Sequence, residues 1–383
     1  MEKVKIGNYV KQIRGVSYKP NDLHNNLNSD SVILLRANNI NEGKINFDDI
    51  VYVDKSKVKK EQYLKKGDIL VCASSGSKEL VGKAAFINKD YAVTFGAFCK
   101  LIRPKDCIAE YLGHYFNSQI YKEKISSLAL GANINNIRNE HINELIVYLP
   151  NKAEQQNISI LLDEVVDIID KRKQQLEKLD ELVKARFVEM FGDPQHNRDN
   201  FVKIEDIGML TSGGTPSRAK SKYFEGDIRW YNAGELNTLY LPDSTEHISE
   251  IALQQSSAKL FKKGSLMIGM YDTAAFKMGI LTEDSSSNQA CANLNPRDGY
   301  NVIWLYYLFD IMKPVFLRER QGVRQKNLSL TKIKEFEVPS APTEQQNQFA
   351  TFVEQVDKSK FEIKQSLEKL ELLKKALMQK YFG

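Results

Sequence analysis

The residues best suited to bind a metal or attack an electrophile are five histidines and four cysteines. His24, His114, His141, His196 and His247 never fall at metal-ligand spacing. Cys72, Cys99, Cys107 and Cys291 lie far apart with no Cys-x-x-Cys pair, which argues against a zinc ribbon and a disulfide framework. Reduced thiols in a cytoplasmic protein are the plain expectation. The stretch from Gly76 to Gly82-Lys83-Ala84 resembles a phosphate-binding loop. Its spacing is one residue too long, and Ala84 stands where a Ser or Thr would hold magnesium. No Gly-x-Ser-x-Gly elbow supplies a nucleophile. Asn295-Pro296 continues as Arg297-Asp298, so the Asn-Pro-Pro-aromatic tetrapeptide that holds a flipped base is missing. No glycine-rich cofactor loop follows a strand. Together these absences favour a recognition protein over an enzyme, with no catalytic residue and no metal ligand in this chain.

At roughly 150 residues per domain, 383 residues make two or three domains. A hydrophobic fraction of 42% and a charged fraction of 27% fit a globular protein and exclude a disordered one. Met1 to Gly15 carries lysines but no apolar run, so no secretory signal is expected, and no stretch nears the 18 apolar residues of a membrane span. A net charge of +5 permits a nucleic-acid partner without demanding one.

The chain is one unit written twice. Glu-Gln-Gln-Asn at 154–157 recurs at 344–347, Leu-Glu-Lys-Leu at 176–179 recurs at 367–370, and Phe191-Gly192 matches Phe382-Gly383. Aligned with one extra residue in the second copy, close to half of the positions are identical. The repeat extends faintly upstream, where Lys65-Lys66-Gly67-Asp68-Ile69-Leu70 matches Lys262-Lys263-Gly264-Ser265-Leu266-Met267. Both similar tails read as helices. Steps of three and four from Leu162 through Val165, Ile169, Arg172, Leu176, Leu179, Val183 and Arg186 to Met190 trace a mostly apolar seam. A second seam runs through Val353, Val356, Lys360, Ile363, Leu367, Leu370, Lys374, Leu377 and Tyr381. Two amphipathic helices on separate local cores would give the same pattern. The divergent parts read as mixed α/β, with short strands at 32–35, 69–71, 84–87, 228–231 and 265–268 and helices at 108–117 and 302–311. The two tails are almost neutral together, so the basic excess lies in the divergent parts.

These residues resemble a known family. Two variable domains, each followed by a long helix opening with Pro-x-x-x-Glu-Gln-Gln, are similar to the specificity subunit of type I restriction–modification systems. The junction Glu189-Met190-Phe191-Gly192-Asp193-Pro194, followed by Leu210-Thr211-Ser212-Gly213-Gly214-Thr215-Pro216, is similar to the family's entry into its second recognition domain. The first unit departs from that pattern, reading Ile13-Arg14-Gly15-Val16-Ser17-Tyr18 where the second has its Gly-Gly-Thr-Pro loop. The resemblance implies an α+β fold: two mixed α/β target-recognition domains separated by a long antiparallel two-helix coiled coil, with an internal pseudo-twofold repeat. The expected divisions are target-recognition domain 1 at 1–150, spacer helix 1 at 151–192, target-recognition domain 2 at 193–338 and spacer helix 2 at 339–383. The partners implied are double-stranded DNA, two methyltransferase modification subunits and two motor-nuclease restriction subunits, with no membrane. This chain would hold no cofactor. S-adenosylmethionine belongs to the partner methyltransferase, and ATP and magnesium to the partner nuclease. Helices of roughly 37 residues are about 55 Å long, which limits half-site centres to about 16 base pairs apart.

Under that reading lysine and arginine hold phosphates, while arginine, asparagine, glutamine and serine read base edges. The candidates in the first domain are Tyr18, Lys19, Arg36, Asn38, Asn39, Ser75, Ser77, Lys78, Asn133, Asn135 and Arg138. In the second they are Thr215, Ser217, Arg218, Lys220, Tyr231, Asn232, Glu235, Tyr271, Lys277, Arg320, Arg324 and Lys326. Leu162, Ile169, Leu176, Leu179 and Val183 on one helix, with Val356, Ile363, Leu367, Leu370 and Leu377 on the other, would hold the helix pair. Glu154, Gln155, Gln156, Glu344, Gln345 and Gln346 are candidate docking residues for the modification subunits, and helix capping is an equal role for them. A stand-alone tandem DNA-binding regulator and a coiled-coil protein-binding scaffold remain as alternatives.

Overall fold

A computed structural model describes residues 2–77, 79–128, 135–196, 200–320 and 327–383. Two compact units divide the chain: Met1–Lys173 with Gln365–Gly383, and Gln174–Lys364. The helices Lys152–Phe191 and Thr343–Phe382 each contribute residues to both.

In the first unit the strand Glu2–Lys5 pairs antiparallel with Ile146–Leu149, just ahead of the first long helix. The central sheet is antiparallel, ordered Ala84–Phe86, Ile69–Cys72, Cys99–Pro104, Val10–Arg14. Every residue of Ile69–Cys72 is buried. Side chains alternate along a strand. Ile69 and Val71 therefore enter a core shared with the helices Ala109–Phe116 and Gln119–Leu128, while Leu70 and Cys72 enter a second core with Leu35, Val93 and Phe95. A strand covered on both faces must be apolar throughout, which is why the run shows no polar alternation. Behind the second core lies a sheet ordered Val93–Phe95, Ser31–Leu35, Val51–Asp54, Leu23–His24. Its first pair is parallel and the others are antiparallel.

The second unit uses the same plan. Phe201–Lys203 pairs antiparallel with Glu337–Pro339 ahead of the second long helix. Its central sheet is ordered Met278–Ile280, Leu266–Gly269, Cys291–Pro296, Gly208–Ser212, again antiparallel. Leu266 and Ile268 face a large core with the helix Val302–Arg318, while Met267 faces a smaller one with Tyr231 and Phe261. A three-stranded sheet of Glu246–Ile248, Ile228–Tyr231 and Ser286–Ser287 lies beyond, its last pair parallel.

The expected strands are present to within a residue or two, but the helices differ from the sequence reading. Where one helix is expected at 108–117 the first unit has two in succession: Ala109–Phe116 closes at Asn117, and the Ser118 hydroxyl accepts from the Tyr121 N–H (3.1 Å) to start Gln119–Leu128. In the second unit the helix does not stop at Ile311. It continues through Pro314 to Arg318, carrying Phe316 into ring contacts with Phe276 (4.5 Å) and Phe336 (4.7 Å). Pro314 cannot donate to the Asp310 carbonyl one turn back, and beside it Gln195 Nε2 donates to the Ile311 carbonyl at 2.7 Å.

The repeated Glu-Gln-Gln-Asn is one residue out of structural step. Gln155 Oε1 accepts from the Ile108 N–H (2.9 Å) and its Nε2 donates to the Pro150 carbonyl (2.6 Å). The residue doing the same work in the second unit is Gln346, whose Oε1 accepts from the Asn301 N–H (2.8 Å) and whose Nε2 donates to the Ala341 carbonyl (2.7 Å). Both helices are 40 residues long, so matching Gln155 to Gln346 needs no insertion inside them. An inserted residue would turn every later side chain by about 100° off its packed face. Gln155 and Gln346 are 2% and 0% exposed, so these two do not serve as docking residues.

Of the seam residues, Leu162, Ile169, Val183 and Val356 are buried. Leu176, Leu179, Ile363, Leu367, Leu370 and Leu377 are half-buried. Arg186 is exposed and pairs with Glu189, while Phe187 takes the buried place. A 3.6-residue turn drifts from a strict heptad line, and the packed face moves with it. In the first unit Ile158 and Leu162 share a core with Met378 and Phe382; in the second, Val183 and Phe187 share one with Phe349, Val353 and Val356. Lys360 bridges to Asp180 in the second unit.

Candidate nucleic-acid interface

Each unit turns a set of polar loops outward from the ends of its central strands. In the first unit Arg36, Asn38 and Asn39 form the turn after Ser31–Leu35. The Asn39 oxygen accepts from the Arg36 N–H (2.9 Å) and its amide donates to the Asp48 carbonyl (2.6 Å). Asn39 is fully buried and spent on the turn, so it reads no base. Arg36 Nη2 donates to the Asp49 carbonyl (2.6 Å) and carboxylate (2.8 Å), and exposed Asn38 donates to that carboxylate (3.0 Å). The second unit's turn is Asn232–Glu235. Glu235 Oε2 accepts from the Asn232 N–H (2.8 Å) and amide (2.6 Å), while its Oε1 accepts from the Thr245 N–H (2.8 Å) and hydroxyl (2.9 Å). Tyr231 is 1% exposed and donates to the Pro242 carbonyl (2.6 Å). Tyr231, Asn232 and Glu235 therefore build the turn instead of offering free groups to a ligand.

Two strand ends converge in the first unit. Ser75 pairs in register with Asn135 and Ser74 with Asn136, and the Ile137 N–H donates to the Ala73 carbonyl (2.7 Å). Lys100 reaches in from the central sheet, donating to the Ile137 carbonyl (3.2 Å) and Asn139 Oδ1 (2.7 Å). Burial lowers its ammonium to about 8. Ser77 and Arg138 are exposed nearby in sequence to these elements; Lys19, after the Val10–Arg14 strand, is exposed too, and Tyr18 is half-buried. Lys78 and Asn133 lie outside the described residues, and Asn135 is placed by its strand alone. The second unit has the matching arrangement, in which the Leu328 N–H donates to the Met270 carbonyl (2.8 Å). It gathers exposed Tyr271, Asp272, whose N–H donates to Asn327 Oδ1 (3.1 Å), and Arg320, which donates to the Asp272 carbonyl (3.4 Å). Arg324 and Lys326 lie outside the described residues, and Lys277 is half-buried. Asn136 and Asn327 escaped the sequence reading. The backbone match of Ile137 with Leu328 exposes their equivalence, and the sequence match of Gly131 with Gly322 carries the same offset.

Thr215, Ser217, Arg218 and Lys220 follow the Gly208–Ser212 strand and are exposed. Thr215 donates to Gln289 Oε1. Arg218 holds Glu246 with both Nη groups and lies 4.4 Å over the Phe224 ring and 5.3 Å over Trp230. That pairing raises the guanidinium and holds the Glu246 carboxyl below its usual range. Lys220 donates to the Tyr223 hydroxyl (2.8 Å). Gly213 and Gly214 serve packing: a Cβ on Gly214 would sit 2.1 Å from the Ser257 carbonyl oxygen. Gly15 is tied down in the same way, since a Cβ on it would sit 2.1 Å from the Gly96 carbonyl oxygen, which relates the first unit's divergent loop to the Gly-Gly loop.

The cysteines offer no nucleophile. Burial pushes Cys72 and Cys107 up to about 11 and Cys291 up to about 12, and Cys99 is raised further. Thiols so held stay protonated at neutral pH. No helix among the described residues is long and apolar enough to cross a membrane.

The family description "Type I restriction modification DNA specificity domain" matches residues 1–180 and 199–374. The specificity subunits of the StySPI enzyme of Salmonella potsdam and the EcoKI enzyme of Escherichia coli are each 40% identical over 173 residues, covering 45% of this chain and 37% of the relative. The chain thus aligns with little more than a third of these relatives' length. A solved S subunit of a type I system from M. genitalium shares the fold at a TM-score of 0.59 and 15% identity, covering 100% of this chain and 96% of that one. A chain from a structure of type I system assembly and conformational transition gives 0.60 and 15%, covering 99% and 97%.

Proposed function

The chain belongs to the type I restriction–modification DNA specificity family, and from that premise we propose that it is the non-catalytic DNA-reading subunit of such a complex. Its target is a bipartite, asymmetric site in double-stranded DNA. Residues 1–150 and 193–338 are the two target-recognition domains, and the helices within 151–192 and 339–383 form an antiparallel coiled-coil spacer in a pseudo-twofold arrangement. The observation that carries this reading is one strand plan used in two units, with the same turns turned outward and different side chains on them. Like scaffolds with unlike loops read unlike half-sites, so the site is non-palindromic.

Base-edge chemistry falls to Ser75, Ser77 and Asn135 in the first unit and to Thr215, Ser217 and Tyr271 in the second. Lys19, Arg138, Arg218, Lys220, Lys277 and Arg320 hold phosphates. The two methyltransferase subunits dock on the outward helix faces. Exposed Glu154, Gln156, Glu344 and Gln345 lie there. Apolar Leu161 and Ile168 of the first unit and Leu182 and Phe361 of the second are also exposed, at 37%, 42%, 48% and 62%. Restriction subunits join the same complex, and adenine methylation and cleavage are the partners' chemistry.

Single-molecule sequencing of adenine methylation, in a host with and without this gene and with its partner methyltransferase present, tests the proposal. A split asymmetric motif methylated only with the gene is the expected result. An unchanged methylome with the partner active would refute it.

A further inference from the structure

In the first unit, the turn between Val93–Phe95 and Cys99–Pro104 presents Phe98 at 69% exposure, the highest among large apolar side chains of the described residues. A single exposed apolar residue is ordinary. Phe98 differs in how firmly its backbone is held. Its carbonyl accepts from the Ala73 N–H (2.9 Å) and the Ser74 N–H (3.0 Å), the Cys99 N–H closes on the Gly96 carbonyl (2.8 Å), and the Gly96 N–H donates to Leu35 (2.9 Å). Gly15 packs against the Gly96 carbonyl so closely that no Cβ fits between them. The ring thus projects from a fixed turn, beside the paired strands Ser74–Ser75 and Asn135–Asn136.

The second unit contains the same turn. The Cys291 N–H closes on Asn288 (3.2 Å), the Asn288 N–H donates to Tyr231 (2.9 Å), and the Met270 N–H donates to Ala290 (2.9 Å). Ala290 occupies the place of Phe98, and the exposed side chain of this turn is its neighbour Gln289, whose Oε1 accepts from Thr215. The backbone is kept while the outward chemistry changes from an aromatic ring to an amide. Neither outward side chain is buried, so core packing requires neither.

We propose that this turn is a base-reading element in both units, with Phe98 making apolar contact with a thymine methyl in the first half-site and Gln289 hydrogen-bonding a base edge in the second. The inference rests on the DNA-reading function proposed above. A rigid turn makes such contacts without an ordering cost at binding, and both pairings suit the exposed edges of the major groove.

The test uses the full chain with its methyltransferase partners and duplexes carrying the site obtained by methylation mapping. Phe98→Ala should weaken binding to that duplex by roughly 5- to 100-fold, the span of one base contact, while Phe98→Leu keeps part of it. Replacing thymines of the first half-site by uracil, one at a time, should weaken the unaltered chain at one position and leave Phe98→Ala indifferent there. Gln289→Ala should lose base preference in the second half-site alone. Equal losses by Phe98→Ala on thymine and uracil duplexes would overturn the methyl contact, and unaltered binding and base preference in both variants would overturn the reading element. An unaltered chain that directs no motif and binds no duplex overturns the DNA-reading function itself, a separate outcome. Melting temperatures of both variants should equal that of the unaltered chain, since these side chains are exposed.

Discussion

Phe382→Ala should destabilise the first unit while sparing the second. Phe382 is 1% exposed, and its ring lies 5.0 Å from Tyr111 and 5.8 Å from Tyr115, in a core shared with Ile158 and Leu162. Truncating a fully buried phenylalanine costs about 3–5 kcal/mol, part of it lost transfer free energy and part the cavity left behind. Tyr115 is itself held against Phe116 and Tyr121, and Tyr111 is fixed by its hydroxyl donating to the Tyr148 carbonyl (2.7 Å), which leaves little freedom to collapse into the space, so the upper half of that range applies. A domain of this size has about 5–15 kcal/mol in total. Amide hydrogen exchange should therefore accelerate by about 10³- to 5 × 10³-fold for the most protected amides of 1–173. The two tryptophans of the chain, Trp230 and Trp304, both belong to the second unit and are both buried. Tryptophan emission during urea unfolding should then show an unchanged midpoint. Unaltered exchange in 1–173, or an equal loss of protection across 174–364, would refute the assignment of Phe382 to the first unit's core.

The remaining expectations concern polar groups inside the units. Asp68→Asn should cost roughly 3 kcal/mol, because Arg103 holds the Asp68 carboxylate through Nε (2.7 Å) and Nη2 (2.8 Å) and would be left part-buried without a counter-charge; a denaturation midpoint unchanged within error contradicts this. Gln155→Ala should destabilise the first unit and Gln346→Ala the second, each by about 1–3 kcal/mol per backbone group left unpaired. Only Gln346→Ala should move the tryptophan transition. Burial lowers Lys100 to about 8 from 10.5, so between those values the unfolded chain binds more protons than the folded one. The first unit should gain stability, relative to Lys100→Met, as pH rises through that window. A relative loss measured by hydrogen exchange at several pH values would contradict the sign.

Much of the architecture was legible in residue order. The duplicated Leu-Glu-Lys-Leu and Phe-Gly tails, the apolar steps from Leu162 and from Val353, and unbroken apolar runs such as Ile69-Leu70-Val71 depend only on local periodicity and on burial, which sequence records directly. Absent catalytic spacing was likewise readable. The roles of polar residues were not. Asn39, Tyr231, Gln155 and Gln346 have the composition of recognition residues, yet each is turned inward to satisfy a backbone group, at Asp48 and Pro242 for the first two and, much farther along the chain, at Ile108 and Asn301 for the two glutamines. Conversely Phe98, an apolar side chain, stands in solvent at the turn before Cys99–Pro104. Sequence determined the two-unit plan, its helices and its kind of chemistry, since those follow from the period and type of neighbouring residues. The tertiary structure alone decided which asparagines, glutamines and aromatics face outward, because a polar group's direction is set by the nearest unpaired donor or acceptor, and in this chain that partner lies on another element.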